Sequence, residues 1–211
     1  MYLFSRQAHL VGGNGMAGVE WATEIAKKCE SITGREVQLW ASVYSPLYGT
    51  IGWTAWFEDL AALESFGDKL LADPSYNELA MAGADFVDDL IDDNVASVVH
   101  GEVDAARTVE YVGSVRAVIA AGSYARALGA GVEIAEKFQA VTGIPGLFLT
   151  DMTGPYGSVG WLTGYTSIAE LQASNDALAA DLSWIGVVDS TKGCFAEDTA
   201  VTQSVIWRRL G

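Results

Sequence analysis

The sequence predicts an α+β protein built from two tandem copies of one unit. Two blocks of the first half recur in the second half in the same order. Residues 24–34 match residues 133–143, and residues 46–53 match residues 155–161 with one residue lost. A repeat of this length exceeds the few tens of residues that form one unit of a solenoid. Each copy is therefore expected to fold as a small domain-sized unit.

Periodicity and turn residues in the first copy indicate six elements in the order βαββαβ. Thr33-Gly34 ends the first helix as a glycine just past a helix C-terminus does. Apolar and polar residues alternate from Val37 to Tyr44, and this period of two is typical of a strand. The predicted strands are residues 1–10, 36–44, 50–57 and 95–103, and the predicted helical regions are residues 19–32 and 59–87.

The second copy repeats this order, with strands predicted over residues 109–120, 144–153, 158–165 and 199–207. The βαββαβ order is the ferredoxin-like arrangement, in which helices cover one face of an antiparallel sheet. We therefore predict a first ferredoxin-like repeat at residues 1–104 and a second at residues 105–211.

The charge balance excludes several partners. The formal net charge is −15, with 27 acidic and 12 basic residues. Nucleic acids and anionic lipid surfaces need dense patches of Lys and Arg, so neither is an expected partner. The acidic stretch at residues 88–93 is interpreted as a solvated face, because it lacks the ligand spacing and the glycine turn of a cation-binding loop.

The cysteines and the N-terminus predict a soluble cytoplasmic protein. Cys29 and Cys194 fall at unrelated places in the two copies, so both are interpreted as free thiols in a reducing compartment. The first residues do not form a secretory signal, and no later stretch is apolar for the length of a membrane span. His and Cys do not show the spacing of a metal site, and we predict neither a metal nor a cofactor.

The tandem βαββαβ pattern, with a Tyr-Gly turn followed by Gly-Trp in each copy, resembles the dimeric α/β-barrel superfamily. That superfamily includes the antibiotic-biosynthesis monooxygenases and the NIPSNAP-like proteins. The resemblance implies two antiparallel four-stranded sheets that face each other across a central cavity, with the helices outside. A tandem chain would build both halves itself as an intramolecular pseudo-dimer, and further self-association is left open.

If the helices cover the apolar face of each sheet, the opposite face lines the barrel. In the repeat alignment, Arg116 takes the place of Gln7, and Asp151 takes the place of Ser42. A mixture of aromatic surface and hydrogen-bonding groups suits a bound organic molecule. The predicted substrate-binding residues are Gln7, Gln38, Trp40, Tyr44, Trp56 and Arg116.

His9 and Asp151 are the predicted catalytic residues. His9 could act as a general base near neutral pH if the cavity shields it; the alternative is a strand-end histidine in water. Asp151 and Arg116 form a buried ion pair, a substrate clamp or a set of rim charges. In contrast, Trp53 and Trp161 recur in both copies and are expected to pack under the helices.

These residues support three functions. The first is a cofactor-independent oxygenase, isomerase or cyclase that acts on an apolar or aromatic metabolite, with His9 or Asp151 handling protons. The second is a non-catalytic protein that binds or senses a small molecule in the same cavity. The third is a structural or interaction module whose barrel is filled by side chains.

Overall fold

The computed structural model describes residues 1–12, 15–104, 106–198 and 202–211, without the side chains of residues 89 and 90. The chain folds into two compact units. Unit 1 comprises Met1–Ala96 and Arg208–Gly211, and unit 2 comprises Ser97–Trp207. The boundary that the sequence repeat predicts, between residues 104 and 105, stays a prediction about the duplication.

Unit 1 begins with the predicted βαββ order, and its helical region consists of two helices and a short 3-10 turn. A proline, Pro74, starts the second of these helices, where its missing N–H costs nothing. The elements are β1 (Tyr2–Leu10), α1 (Gly15–Thr33), β2 (Gln38–Val43), β3 (Thr50–Phe57), α2 (Leu60–Leu71), α3 (Pro74–Met81), the 3-10 turn Ala82–Asp85 and the start of β4 (Val87–His100).

Strand β4 begins eight residues earlier than the sequence predicts, so the acidic stretch lies in a strand, where Asp92 and Asp93 are exposed as expected of a solvated face. Asp93 of β4 forms a bidentate ion pair with Arg6 of β1, with both N···O distances at 2.7 Å. This pair is charge-assisted and joins two strands of unit 1. Arg6 lies far away in the sequence, so local patterns gave no sign of it.

Unit 2 repeats the pattern of unit 1. Its elements are β5 (Tyr111–Val118), α4 (Tyr124–Thr142), β6 (Gly146–Asp151), β7 (Ser158–Tyr165), α5 (Ile168–Ala180), α6 (Leu182–Ser190) and β8 (Gln203–Arg209). The first three residues of the predicted final strand, 199–201, lie outside the described residues. Both inner strands of the repeat, β3 and β7, have the predicted bounds.

Details of the side-chain packing recur in both units. The indole N–H of Trp53 donates to the carbonyl of Ala22 at 2.9 Å, and that of Trp161 donates to the carbonyl of Gly131 at 2.9 Å. The glycines after α1 and α4 both have a φ of 73°. Each repeated tryptophan thus fixes its strand to the first helix of its own unit, as the sequence predicts.

Within unit 1, β3 pairs with β1 and β2, and within unit 2, β7 pairs with β5 and β6, all antiparallel. Within unit 1 the buried core lies between the sheet and the helices, because Ile51, Trp53 and Phe57 pack against apolar residues of α1 and α2. Within unit 2, Phe148 and Val159 pack in the same way against α4. The predicted α+β class is confirmed.

Both cysteines are free and buried. Burial raises the pKa of the Cys29 thiol to about 11, although the nearby Arg6 guanidinium partly opposes the shift. A thiol with this pKa is protonated at neutral pH and is a poor nucleophile. Among the described residues, the structure contains no helix that is long and apolar enough to cross a membrane.

Candidate functional site

The polar face of unit 1 is the face of its sheet that points away from the helices. Strand register arranges its side chains in rows across β1, β3 and β2. Gln7 and Trp40 both lie opposite Gly52, so they flank a position without a side chain. His9 lies opposite Thr50 in the next row, and Gln38 lies opposite Thr54. Alternation therefore placed these predicted residues on one face.

Trp40 is a packed residue of this face. Its side chain is only 5% exposed, and its indole N–H donates to Thr54 Oγ1 at 2.9 Å. Gln38 is partly exposed, and its amide donates to Glu36 Oε1 at 3.3 Å. Because Trp40 is already bonded and buried, it can form a wall for a ligand and offers no free donor.

Trp56 does not join the other predicted residues of unit 1. It lies opposite Leu3, whereas His9 lies opposite Thr50, six positions away along β3. At about 3.3 Å per residue, this separation is about 20 Å. One small ligand cannot contact both His9 and Trp56, so the predicted set divides into groups at the two ends of the sheet.

His9 and Tyr44 lie at the same end of unit 1, and both reach the surface. The imidazole of His9 packs against Gly49, since a Cβ at that glycine would lie 2.9 Å from His9 Cε1, and His9 itself is exposed. Strand β2 ends at Val43, and Tyr44 has a φ of 51° and is 85% exposed. Alternation therefore no longer sets the direction of the Tyr44 side chain.

The polar face of unit 2 carries an ion pair at the corresponding rows. Arg116 and Leu149 lie opposite Gly160, as Gln7 and Trp40 lie opposite Gly52. The Arg116 guanidinium donates to Asp151 Oδ2, and the Asp151 side chain is 5% exposed while that of Arg116 is 41% exposed. The two residues thus form an ion pair that is buried at its carboxylate end only, and the role of substrate clamp stays a prediction.

Apolar and hydroxyl groups surround the pair on the same face. Leu149 is 2% exposed, and Ser158, at the start of β7, is 5% exposed. Trp207 of β8 donates its indole N–H to Ser114 Oγ at 3.0 Å. Sequence reasoning missed Trp207 as a residue of this face; the alternation of Val205 and Trp207, both buried, is the signal that could have found it.

The described residues show no group of three or more His, Cys, Asp or Glu side chains arranged to hold a metal ion. Oxygen donors on the polar face of unit 2 come from Asp151, Ser114 and Ser158, and two of these already have partners in the chain. The polar face of unit 2 therefore contains a cation, a carboxylate, hydroxyl groups and apolar side chains.

No family model matches the sequence, and the comparison with curated proteins gave no significant match. Solved structures match the whole chain. A Fusobacterium nucleatum protein provisionally assigned as a monooxygenase has 9% identity and a TM-score of 0.73, covering 100% of this chain and 92% of its own. An anthrone oxidase-like protein has 12% identity and a TM-score of 0.70, covering 100% and 91%.

A third structure, from Lactobacillus acidophilus and also provisionally assigned as a monooxygenase, has 8% identity and a TM-score of 0.67, and covers 99% of this chain and 93% of its own. The chain has the dimeric α/β-barrel fold. The fold that the sequence resemblance implied is thus confirmed, and a single chain of each of these structures spans both repeats. At these identities the likeness shows the dimeric α/β-barrel fold and no activity.

Proposed function

We propose that this protein binds a small organic molecule that joins an apolar or aromatic ring to an anionic oxygen. The observation that carries this proposal is the unequal exposure of the unit 2 ion pair. Asp151 is nearly buried, whereas the Arg116 side chain is 41% exposed. The Asp151 carboxylate fixes the orientation of the Arg116 guanidinium. The exposed N–H groups of the guanidinium remain available to donate to an oxygen of the ligand.

The surroundings of Arg116 support a mostly apolar ligand. Binding sites for small molecules are lined mainly by apolar side chains and carry a few polar groups that fix orientation. Leu149 lies in the row of Arg116 and Gly160, and Leu162, which is partly exposed, lies in the next row of the same face. The ring of the ligand would pack on Leu162 while its anionic oxygen meets Arg116.

A thermal-shift series with aromatic carboxylates and phenolates tests this proposal, using the wild-type protein, Arg116→Gln and Arg208→Gln. Glutamine is the residue at the equivalent position of unit 1, and Arg208 is an exposed arginine that serves as the charge-matched control. A ligand at 100 times its Kd stabilises the folded protein by about 2.7 kcal/mol. We expect this stabilisation in the wild type and in Arg208→Gln, and its loss in Arg116→Gln. Equal shifts in all three proteins would refute the site.

Beyond binding, we propose a reaction: the protein oxygenates the bound molecule without a cofactor, and Asp151 takes part in proton transfer. Isomerisation and cyclisation are the alternative reactions. Its support is that the full-length structural neighbours include two provisional monooxygenases and an anthrone oxidase-like protein. His9 belongs to unit 1, and its exposed position gives it no shielding from water.

Oxygen uptake in the presence of each compound that binds tests this finer proposal. Proton transfer by a positioned side chain contributes about 100-fold to 10,000-fold to a rate. We therefore expect wild-type uptake to fall by about 100-fold in Asp151→Asn. A His9→Ala control should keep the wild-type rate. Binding without oxygen uptake or any other product would contradict catalysis and leave the protein as a binder.

A further inference from the structure

The hairpin between β2 and β3 of unit 1 presents two tyrosines to solvent. Tyr44 is 85% exposed and Tyr48 is 80% exposed. Together with Val43, Ser45 and Pro46 they line a shallow, open groove. A large aromatic side chain gains little in stability when it is left in water, so these two tyrosines are not explained by folding.

The backbone conformation at Tyr44 and the hydrogen bonding of the next residue, Ser45, are both unusual. Tyr44 has a φ of 51° and is the one non-glycine residue with a positive φ among the described residues. The hydroxyl of Ser45 is buried and has no hydrogen-bond partner within the described part of the chain. Both features cost free energy, and such features tend to occur where a chain binds something.

Hydrogen bonds hold the groove in shape before any ligand arrives. Ser42 Oγ donates to the carbonyl of Leu47, and the N–H of Thr50 donates to the same carbonyl at 3.0 Å. The hairpin therefore does not need to order itself when it binds, which favours affinity.

Charge favours a cationic occupant. The net charge of the chain is −15, and no Lys or Arg occurs in the sequence between Glu36 and Asp68. Exposed tyrosine rings attract cations to their faces, and a planar guanidinium can also stack on them.

We propose that this groove binds the guanidinium group of an arginine in a peptide segment of a partner protein. A pocket for a free small molecule encloses most of its ligand. This groove is open, because both of its tyrosines are more than three-quarters exposed. Its open side leaves room for the residues that flank the arginine to contact the tyrosine rings, so a peptide should bind more tightly than its guanidinium group alone.

The hairpin of unit 2 provides an internal control. Its Tyr156 corresponds to Tyr48 and is 92% exposed, but Thr153 stands in the place of Tyr44, and the hairpin is one residue shorter. A single exposed tyrosine without the second ring should bind a guanidinium much more weakly. The proposed site therefore exists in unit 1 alone.

The test is an NMR titration of the full chain, carrying labelled tyrosine rings, with a Gly-Arg-Gly peptide blocked at both ends. Replacing arginine with citrulline gives a neutral peptide of the same shape. We expect saturable shifts of Tyr44 and Tyr48 but not of Tyr156, at least fivefold weaker binding of the citrulline peptide, and roughly threefold weaker binding to Tyr48→Ala. Tyr156→Ala should bind as the wild type does.

Three outcomes would overturn the proposal. The first is the absence of saturable shifts at Tyr44 and Tyr48. The second is equal binding of the citrulline peptide, which would show that charge plays no part. The third is equal binding of free methylguanidinium, which would identify a small molecule as the occupant in place of a peptide. Because Tyr48 is exposed, Tyr48→Ala is expected to fold normally.

Discussion

Replacing Gly131 with alanine is expected to lower the free energy of unfolding by about 3 kcal/mol. A Cβ at this position of α4 would lie 2.1 Å from Phe148 Cζ, and Phe148 is 0% exposed, so its ring has no space into which it can move. The clash would displace β6, which ends at Asp151. Urea unfolding of the two proteins measures the loss.

Gly129 in the same helix is the control for this substitution. A Cβ there has no heavy atom within 4 Å, and alanine is favoured over glycine inside a helix by roughly 0.5–1 kcal/mol. We therefore expect Gly129→Ala to be as stable as the wild type or slightly more stable. If Gly131→Ala behaved like Gly129→Ala, the packing of α4 against β6 described above would be wrong.

Replacing Phe57 with alanine is expected to cost about 3–5 kcal/mol. Phe57 is 0% exposed and packs edge-to-face on Phe66, with ring centroids 5.3 Å apart. The Arg35 guanidinium carbon lies 4.6 Å from the centroid of the Phe57 ring. Removal of the ring leaves a cavity in the core of unit 1. The free energy of unfolding by urea denaturation is again the measurement.

Leu71 is the matched control, because it is 71% exposed at the end of α2 and its truncation should change stability by less than about 0.5 kcal/mol. Similar losses for Phe57→Ala and Leu71→Ala would mean that the apolar face of the unit 1 sheet is not packed under its helices.

Local patterns predicted most of the secondary structure and the duplication. The turn before each strand and the repeated Gly-Trp block locate β3 and β7, and the period of two then leaves no choice of face once helices cover one side. The repeated tryptophans were correctly expected under the helices, because a residue kept in both copies while its neighbours changed points to a shared packing role.

Long-range contacts and special backbone geometry could not be predicted in this way. The Arg6–Asp93 pair joins residues that are distant in sequence, and no local pattern indicates it. The direction of Tyr44 depends on a positive φ that no pattern of side chains encodes. The catalytic and ligand-binding roles of the candidate residues stay predictions, because alternation assigns a face and not a chemistry.

A crystal structure of the protein grown with its strongest binder from the thermal-shift series tests the central claim most directly. We expect the anionic oxygen of the compound within hydrogen-bond distance of the Arg116 guanidinium, with its ring on Leu162 and the Arg116–Asp151 pair intact. A compound bound elsewhere, with Arg116 turned into bulk water, would contradict the proposed function.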